Sequence, residues 1–221
     1  MKKMKKCTLL PLLLLPLLVH AQNRASVDVL FSPDYSWLKT LETIQFAGRF
    51  GINVNVKLAE RLHLKTGMRL ARAGYTTKSE LRYESEYATG TWVPDPSLPH
   101  RAEFIHHYLL LEWPVMGRME WTRRKWTPFM EIGMSPVLFL SGRTTQITDF
   151  ETKTIKENLV SISTFQLAGN LAFGYNYQVN QKIQVFGQPT FRYLLTKLKK
   201  AQAGNHLYTI GLEMGCRFRI K

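Results

Sequence analysis

The feature that most constrains this chain is strict alternation of apolar and polar side chains, sustained over unusually long segments. In residues 44–58 the even positions read Ile44, Phe46, Gly48, Phe50, Ile52, Val54, Val56 and Leu58. The odd positions read Gln45, Ala47, Arg49, Gly51, Asn53, Asn55 and Lys57. Successive side chains of a strand point to opposite faces, so one face here is apolar over its whole length and the other is polar or small. The C-terminus repeats the pattern: Tyr208, Ile210, Leu212, Met214, Cys216, Phe218 and Ile220 oppose Thr209, Gly211, Glu213, Gly215, Arg217 and Arg219. Noisier versions complete a set of eight strands, at 25–37, 44–58, 62–77, 102–121, 126–142, 161–179, 182–198 and 206–220. Residues 126–141 fit least well, because Phe129 and Phe139 fall on the polar face. Strands of globular proteins commonly run ~5–6 residues, whereas a tilted membrane strand needs ~9–11. Strand number and length together predict an all-β fold, an eight-stranded antiparallel up-and-down transmembrane β-barrel.

The connections alternate as well. Three are short, Ala59-Glu60-Arg61, Thr122-Arg123-Arg124-Lys125 and Asn180-Gln181, and the others, at 38–43, 78–101, 143–160 and 199–205, are longer. Outer-membrane barrels keep short turns in the periplasm and long loops outside, which places both termini on the periplasmic side. Trp and Tyr favour the two membrane–water interfaces. With that topology, Tyr35, Trp37, Tyr193 and Tyr208 fall at the outer ends of the apolar face, and Trp121, Trp126, Tyr175 and Tyr177 at the periplasmic ends.

Alternation alone does not say which face is inside. A soluble ligand-binding barrel of the lipocalin kind would turn the apolar face inward. The composition of the polar face favours the opposite arrangement. It is rich in Gly and Ala, which suits a narrow interior, and it carries both signs of charge: Asp28, Arg49, Arg69, Glu112, Arg118, Glu131, Arg192, Glu213 and Arg217. Charges facing one another in a closed lumen can neutralise one another, whereas isolated ones would be costly. Eight strands leave room only for side chains, so a plugged lumen is expected and a diffusion porin is not.

Residues 1–21 stand apart. Lys2, Lys3, Lys5 and Lys6 precede an unbroken Leu/Pro/Val run from Leu9 to Val19, then Val19-His20-Ala21. This is the tripartite pattern of a secretory signal peptide, and the run is too short for the ~20 apolar residues of a membrane helix. The expected division is a removed signal peptide at 1–21 and a barrel domain at 22–221, addressed to a bacterial outer membrane. Loss of the four lysines lowers the formal charge from +14 to +10. Cys7 precedes the apolar run, against lipid anchoring, and Cys216 alone remains afterwards. The mean hydropathy of −0.17 averages a lipid-facing set with polar loops and lumen, so it does not argue for solubility.

The segment Tyr108-Leu109-Leu110-Leu111-Glu112-Trp113-Pro114-Val115 resembles one in the PorT-like family of small outer-membrane β-barrels of Bacteroidetes, in which a strand carries a buried Glu followed by Pro. Here Trp113 replaces an aliphatic residue. The resemblance implies a membrane barrel and carries no particular role with it. The last strand is similar to the signal read by the barrel assembly machinery, through Gly215, Phe218 and Ile220, although Met214 stands where a polar residue is usual and Lys221 follows where an aromatic often ends the chain.

Motifs for chemistry are lacking. No phosphate loop, HExxH or Cys-pair metal site occurs, and Gly133-Met134-Ser135-Pro136-Val137 lacks the last Gly of a nucleophile elbow. No catalytic, cofactor or metal residue is assigned, and the chain is read as a non-enzyme. A lipid-modifying barrel enzyme is the second alternative, resting on His107 alone. The basic residues do not gather into one patch, so nucleic acid is not an expected partner. The expected partners are outer-membrane lipid, the assembly machinery, and a protein at loop 78–101, where Pro94, Pro96 and Pro99 stiffen a segment rich in charge and aromatics.

Overall fold

The computed structural model describes residues 25–38, 44–80, 84–86, 92–94, 101–121, 125–148, 150–156, 164–196 and 206–220. The leader 1–21, most of loop 78–101, Arg123 and Arg124, and residues 197–205 lie outside the described residues. The elements are all strands: β1 (Ala25–Leu38), β2 (Gln45–Lys57), β3 (Leu62–Glu80), β4 (Glu84–Glu86), β5 (Trp92–Pro94), β6 (Arg101–Glu112), β7 (Val115–Glu120), β8 (Trp126–Thr148), β9 (Thr152–Lys156), β10 (Phe165–Gln178), β11 (Ile183–Leu194) and β12 (Leu207–Arg219). Every pairing is antiparallel, and β12 pairs back onto β1, so the sheet closes.

The ring has eight staves. β6 and β7 form one of them, because both keep a single register against β3, from Arg69↔Glu112 to Thr66↔Val115. Only Trp113 and Pro114 interrupt it, Pro114 having no N–H to give the ladder. The shear follows from partner to partner. The path Val27, Val54, Thr66, Val115, Met134, Gly169, Tyr193, Tyr208 returns to β1 at Trp37, ten residues beyond its start. Such a stagger requires strands tilted by roughly 35–45° to the barrel axis.

Two expectations are corrected. The connection expected at 143–160 is partly strand, since β8 runs on to Thr148 and returns as β9, pairing Arg143↔Lys156 through Ile147↔Thr152. The loop expected at 78–101 contains strand out to Glu80 and a small β4–β5 hairpin.

The apolar face points out. Phe46, Trp126, Phe165 and Ile44 are each more than 60% exposed, while Asp28, Lys65, Glu112, Arg118, Glu131 and Glu213 are fully enclosed. This is the reverse of a lipocalin. Phe129 and Phe139 face the lumen and are buried, so the poor alternation of that stretch reflects aromatic lumen filling. Glycine makes the space on neighbouring strands: a Cβ on Gly174 would lie 2.7 Å from Phe129 Cζ, and one on Gly215 2.6 Å from Phe186 Cζ.

Candidate functional site

The lumen is the best-defined constellation in the molecule, and it is layered. At the periplasmic end Arg217 donates to both oxygens of Asp28, at 2.7 and 3.0 Å, and to Glu120 Oε1 at 3.1 Å. Glu120 also accepts from Arg118 Nε at 2.9 Å, and His63 Nε2 lies 3.6 Å from its other oxygen. Arg118 then reaches Glu131 Oε1 at 2.8 Å and Asn176 Oδ1 at 2.7 Å, with its guanidinium carbon 3.4 Å from the centre of the Phe129 ring. A cation stacked on an aromatic face is stabilised by the ring quadrupole, so Phe129 supports the charge network it sits beside.

In the middle, Lys65 Nζ donates to both Glu131 oxygens at 3.0 Å and to Glu213 Oε1 at 3.3 Å. Arg69 Nη1 lies 3.0 Å from Glu213 Oε2, and the Gln188 amide bridges the two carboxylates at 3.2 and 2.6 Å. Above this, Arg49 binds Asp34 at 2.6 and 3.1 Å and Thr190 at 2.7 Å, while Arg192 Nη2 lies 2.6 Å from Glu112 Oε1. Gly211 faces the Asp34 carboxylate, where any Cβ would collide with it. The outer end is closed by an apolar layer that includes Leu38, Tyr75, Tyr108, Leu110, Phe139 and Leu207.

All nine charges assigned to the lumen from the sequence therefore lie inside and make ionic contacts within it. Asp34, Lys65 and Glu120 belong to the same network and were not among the nine. Their signal was available as parity: Asp34 shares its face with Asp28, Lys65 with Arg69, and Glu120 with Arg118. Among the described residues the paired lumen charges thus comprise six cations (Arg49, Lys65, Arg69, Arg118, Arg192, Arg217) and six carboxylates (Asp28, Asp34, Glu112, Glu120, Glu131, Glu213), of which only Glu120 is partly exposed. In a low-dielectric interior this balance is what makes so many buried charges tolerable.

The aromatic residues assigned to belts face outward in two groups. Trp37 stacks on Tyr208 at 5.8 Å between ring centres, Tyr193 lies 4.9 Å from Tyr208, and Tyr35 packs edge-on against Phe46 at 6.0 Å. At the other end Trp126 and Tyr177 are 4.7 Å apart, and Trp121 and Tyr175 are exposed nearby in the register. Of the assembly residues, Phe218 and Ile220 face outward and Gly215 accommodates Phe186.

His107 faces outward on β6. The register places Ser141 diagonal to it, through Leu109↔Ser141 and His107↔Arg143, but no hydrogen bond joins imidazole and hydroxyl among the described residues. Among those residues no group of three or more His, Cys, Asp or Glu could hold a metal. No described helix is long and apolar enough to cross a membrane, which says nothing about a barrel.

No family model matches the chain, so the PorT-like resemblance rests on residues 108–115. No curated protein matches it in sequence. Among solved structures it is similar to a major outer membrane protein from Thermus thermophilus, at 11% identity and a TM-score of 0.48, covering 88% of this chain and 98% of that one. Neisserial surface protein A aligns at 12% identity and 0.45, covering 88% and 96%. Ail, the attachment invasion locus protein of Yersinia pestis, aligns at 8% identity and 0.40, covering 89% and 99%.

Proposed function

We propose that the protein is an integral outer-membrane barrel with a side-chain-filled lumen. Its role is structural or interactive and non-enzymatic, its extracellular loops meet a partner, and its place is among PorT-like barrels. One observation carries the membrane reading: an apolar outer surface bounded by two aromatic groups encloses a lumen whose charges are paired with one another. Water would leave that outer surface as a very large exposed apolar patch, far beyond what soluble monomers tolerate, while a bilayer covers it. The interactive role is supported by the asymmetry of the ends. Among the described residues the short turns at 58–61 and 179–182 lie at one end, and the β8–β9 hairpin extends from the other.

The test is fractionation. The mature chain should sediment with outer membranes and migrate faster on a denaturing gel before boiling than after. Recovery in the soluble periplasm would sink the membrane reading. For the role of the loops, a chain lacking residues 80–98 should keep the boiling shift and lose its cross-linked partner. Unchanged cross-linking would end that part of the proposal. Lipid hydrolysis or acyl transfer by the wild type that disappears in His107→Ala would replace it with the enzymatic reading.

A further inference from the structure

Each of the six lumen cations has a carboxylate partner, whereas Arg72 and Arg143 face the opposite way. Arg72 is exposed on the outer surface of β3, in the series that contains Met68 and Leu70. Arg143 is exposed on the outer surface of β8. Neither has a hydrogen bond or ion pair among the described residues.

The register brings them together. Arg72 opposes Leu109 of β6, and the next outward residue on that strand toward the outer end is His107. His107 opposes Gly74 on one side and Arg143 on the other. Directly opposed Cα atoms stand ~4.5–5.5 Å apart and diagonal ones ~7–8 Å. Arg72, His107 and Arg143 therefore occupy adjoining outward positions on three neighbouring staves.

Their level is that of the outer aromatic group. Arg72 also opposes Gly48 of β2, two residues from Phe46, which packs against Tyr35. Glu103 is the carboxylate on the same face of β6, and it stands four residues farther out, opposite Lys78 in register. The local balance of the patch is therefore cationic. Arg143 reaches this face through a local irregularity. The ladder pairs Leu109 with Ser141 but Leu110 with Phe139, so Leu140 is an extra residue that reverses the parity of everything beyond it. Had the strand alternated regularly through Leu140 and Ser141, Arg143 would point into the lumen.

A long side chain at this height can carry its head to the interface while its stem stays against apolar surface. A guanidinium offers a planar fork that matches a phosphate in two-point fashion. From this arrangement we infer that Arg72, His107 and Arg143 form a binding site for the phosphomonoester headgroup of an outer-leaflet lipid. The inference rests on the membrane reading above and adds a specific ligand chemistry to it.

The test uses the mature chain refolded into phosphatidylcholine bilayers doped with phosphatidic acid. The boiling shift reports insertion, and mass spectrometry of the lipid retained after detergent extraction reports preference. Wild type should enrich phosphatidic acid over phosphatidylcholine on the order of thirtyfold, as two arginines at an anionic headgroup would give. R72Q/R143Q should insert and lose that enrichment. R72K/R143K, which keeps charge but not the fork, should retain part of it, and Lys182→Gln at a periplasmic turn should leave it unchanged. Inorganic phosphate should not displace the retained lipid. An inserted wild type with no enrichment, a glutamine variant as selective as wild type, or displacement by inorganic phosphate would each overturn the lipid site. A chain that never inserts would overturn the membrane reading first and this one with it.

Discussion

Glu131 shows most clearly how the interior is held. Its two oxygens receive Lys65, Arg118 and Gln188, so one carboxylate ties β3, β7, β8 and β11 together. Glu131→Leu keeps the volume roughly constant but leaves two enclosed cations short of a partner. Removing one member of a buried pair typically costs about 3–5 kcal/mol, and urea unfolding in lipid vesicles, followed by tryptophan fluorescence, should show a loss of that size. Adding Lys65→Met to the same chain should recover part of the loss, since the stranded ammonium is then gone. If Glu131→Leu unfolds at the wild-type midpoint, the network is decorative. The inward direction of each lumen charge was legible in the sequence, because parity puts it on the polar face and the composition of that face turns it inward. The pairings were not: Arg217 and Asp28 are 189 residues apart, and which cation meets which carboxylate depends on the shear of a closed ring. Shear depends in turn on the register of every strand pair, and alternation is blind to a shift of two residues.

At the scale of elements, alternation marked the eight staves because each buries one face and exposes the other over a membrane-sized length. It failed where that contrast fades. The β8–β9 hairpin carries Thr144, Thr145, Gln146, Thr152, Lys153 and Thr154, polar on both faces, so nothing in the pattern separates it from a loop. The interruption at Trp113-Pro114 was also hidden, since the register passes through it unchanged. Leu140 is the element-scale feature with the largest consequence. Deleting it would make Leu110↔Phe139 and Leu109↔Ser141 consecutive pairs, so the facing on both sides is kept, with Phe139 and Gly142 inward and Ser141 and Arg143 outward. The Tyr108–Phe139 contact, 5.2 Å between ring centres, is likewise left in place. The deletion variant should therefore keep the boiling shift and unfold in urea near the midpoint of Leu140→Ala. A lost boiling shift in the deletion variant alone would mean that the strand cannot close up regularly at this point.

Taken whole, the molecule is a closed wall around a column in which apolar and ionic layers alternate. Leu30, Phe129 and Phe186 form a small apolar cluster beside the lower ionic groups, and the larger apolar layer closes the outer end. Arg118, Lys65, Tyr108 and Leu110 are all essentially inaccessible to solvent, so the column is filled at each of these levels and not at one gate alone. An ion crossing it would have to displace packed side chains and break several charge-paired contacts in sequence. In planar bilayers the wild type should therefore give no stepwise conductance of the size seen with water-filled barrels. Thinning only the outer layer, with Tyr108→Ala and Phe139→Ala together, should not open it, because the ionic layers below remain joined. Further removing Lys65 and Arg118 as alanines should produce leak currents, since it empties the middle and lower levels while leaving Glu131 to draw in water and cations. Stepwise channels in the wild type, or full opening by the outer pair alone, would show that the column is not the barrier and that the lumen is a gated pore.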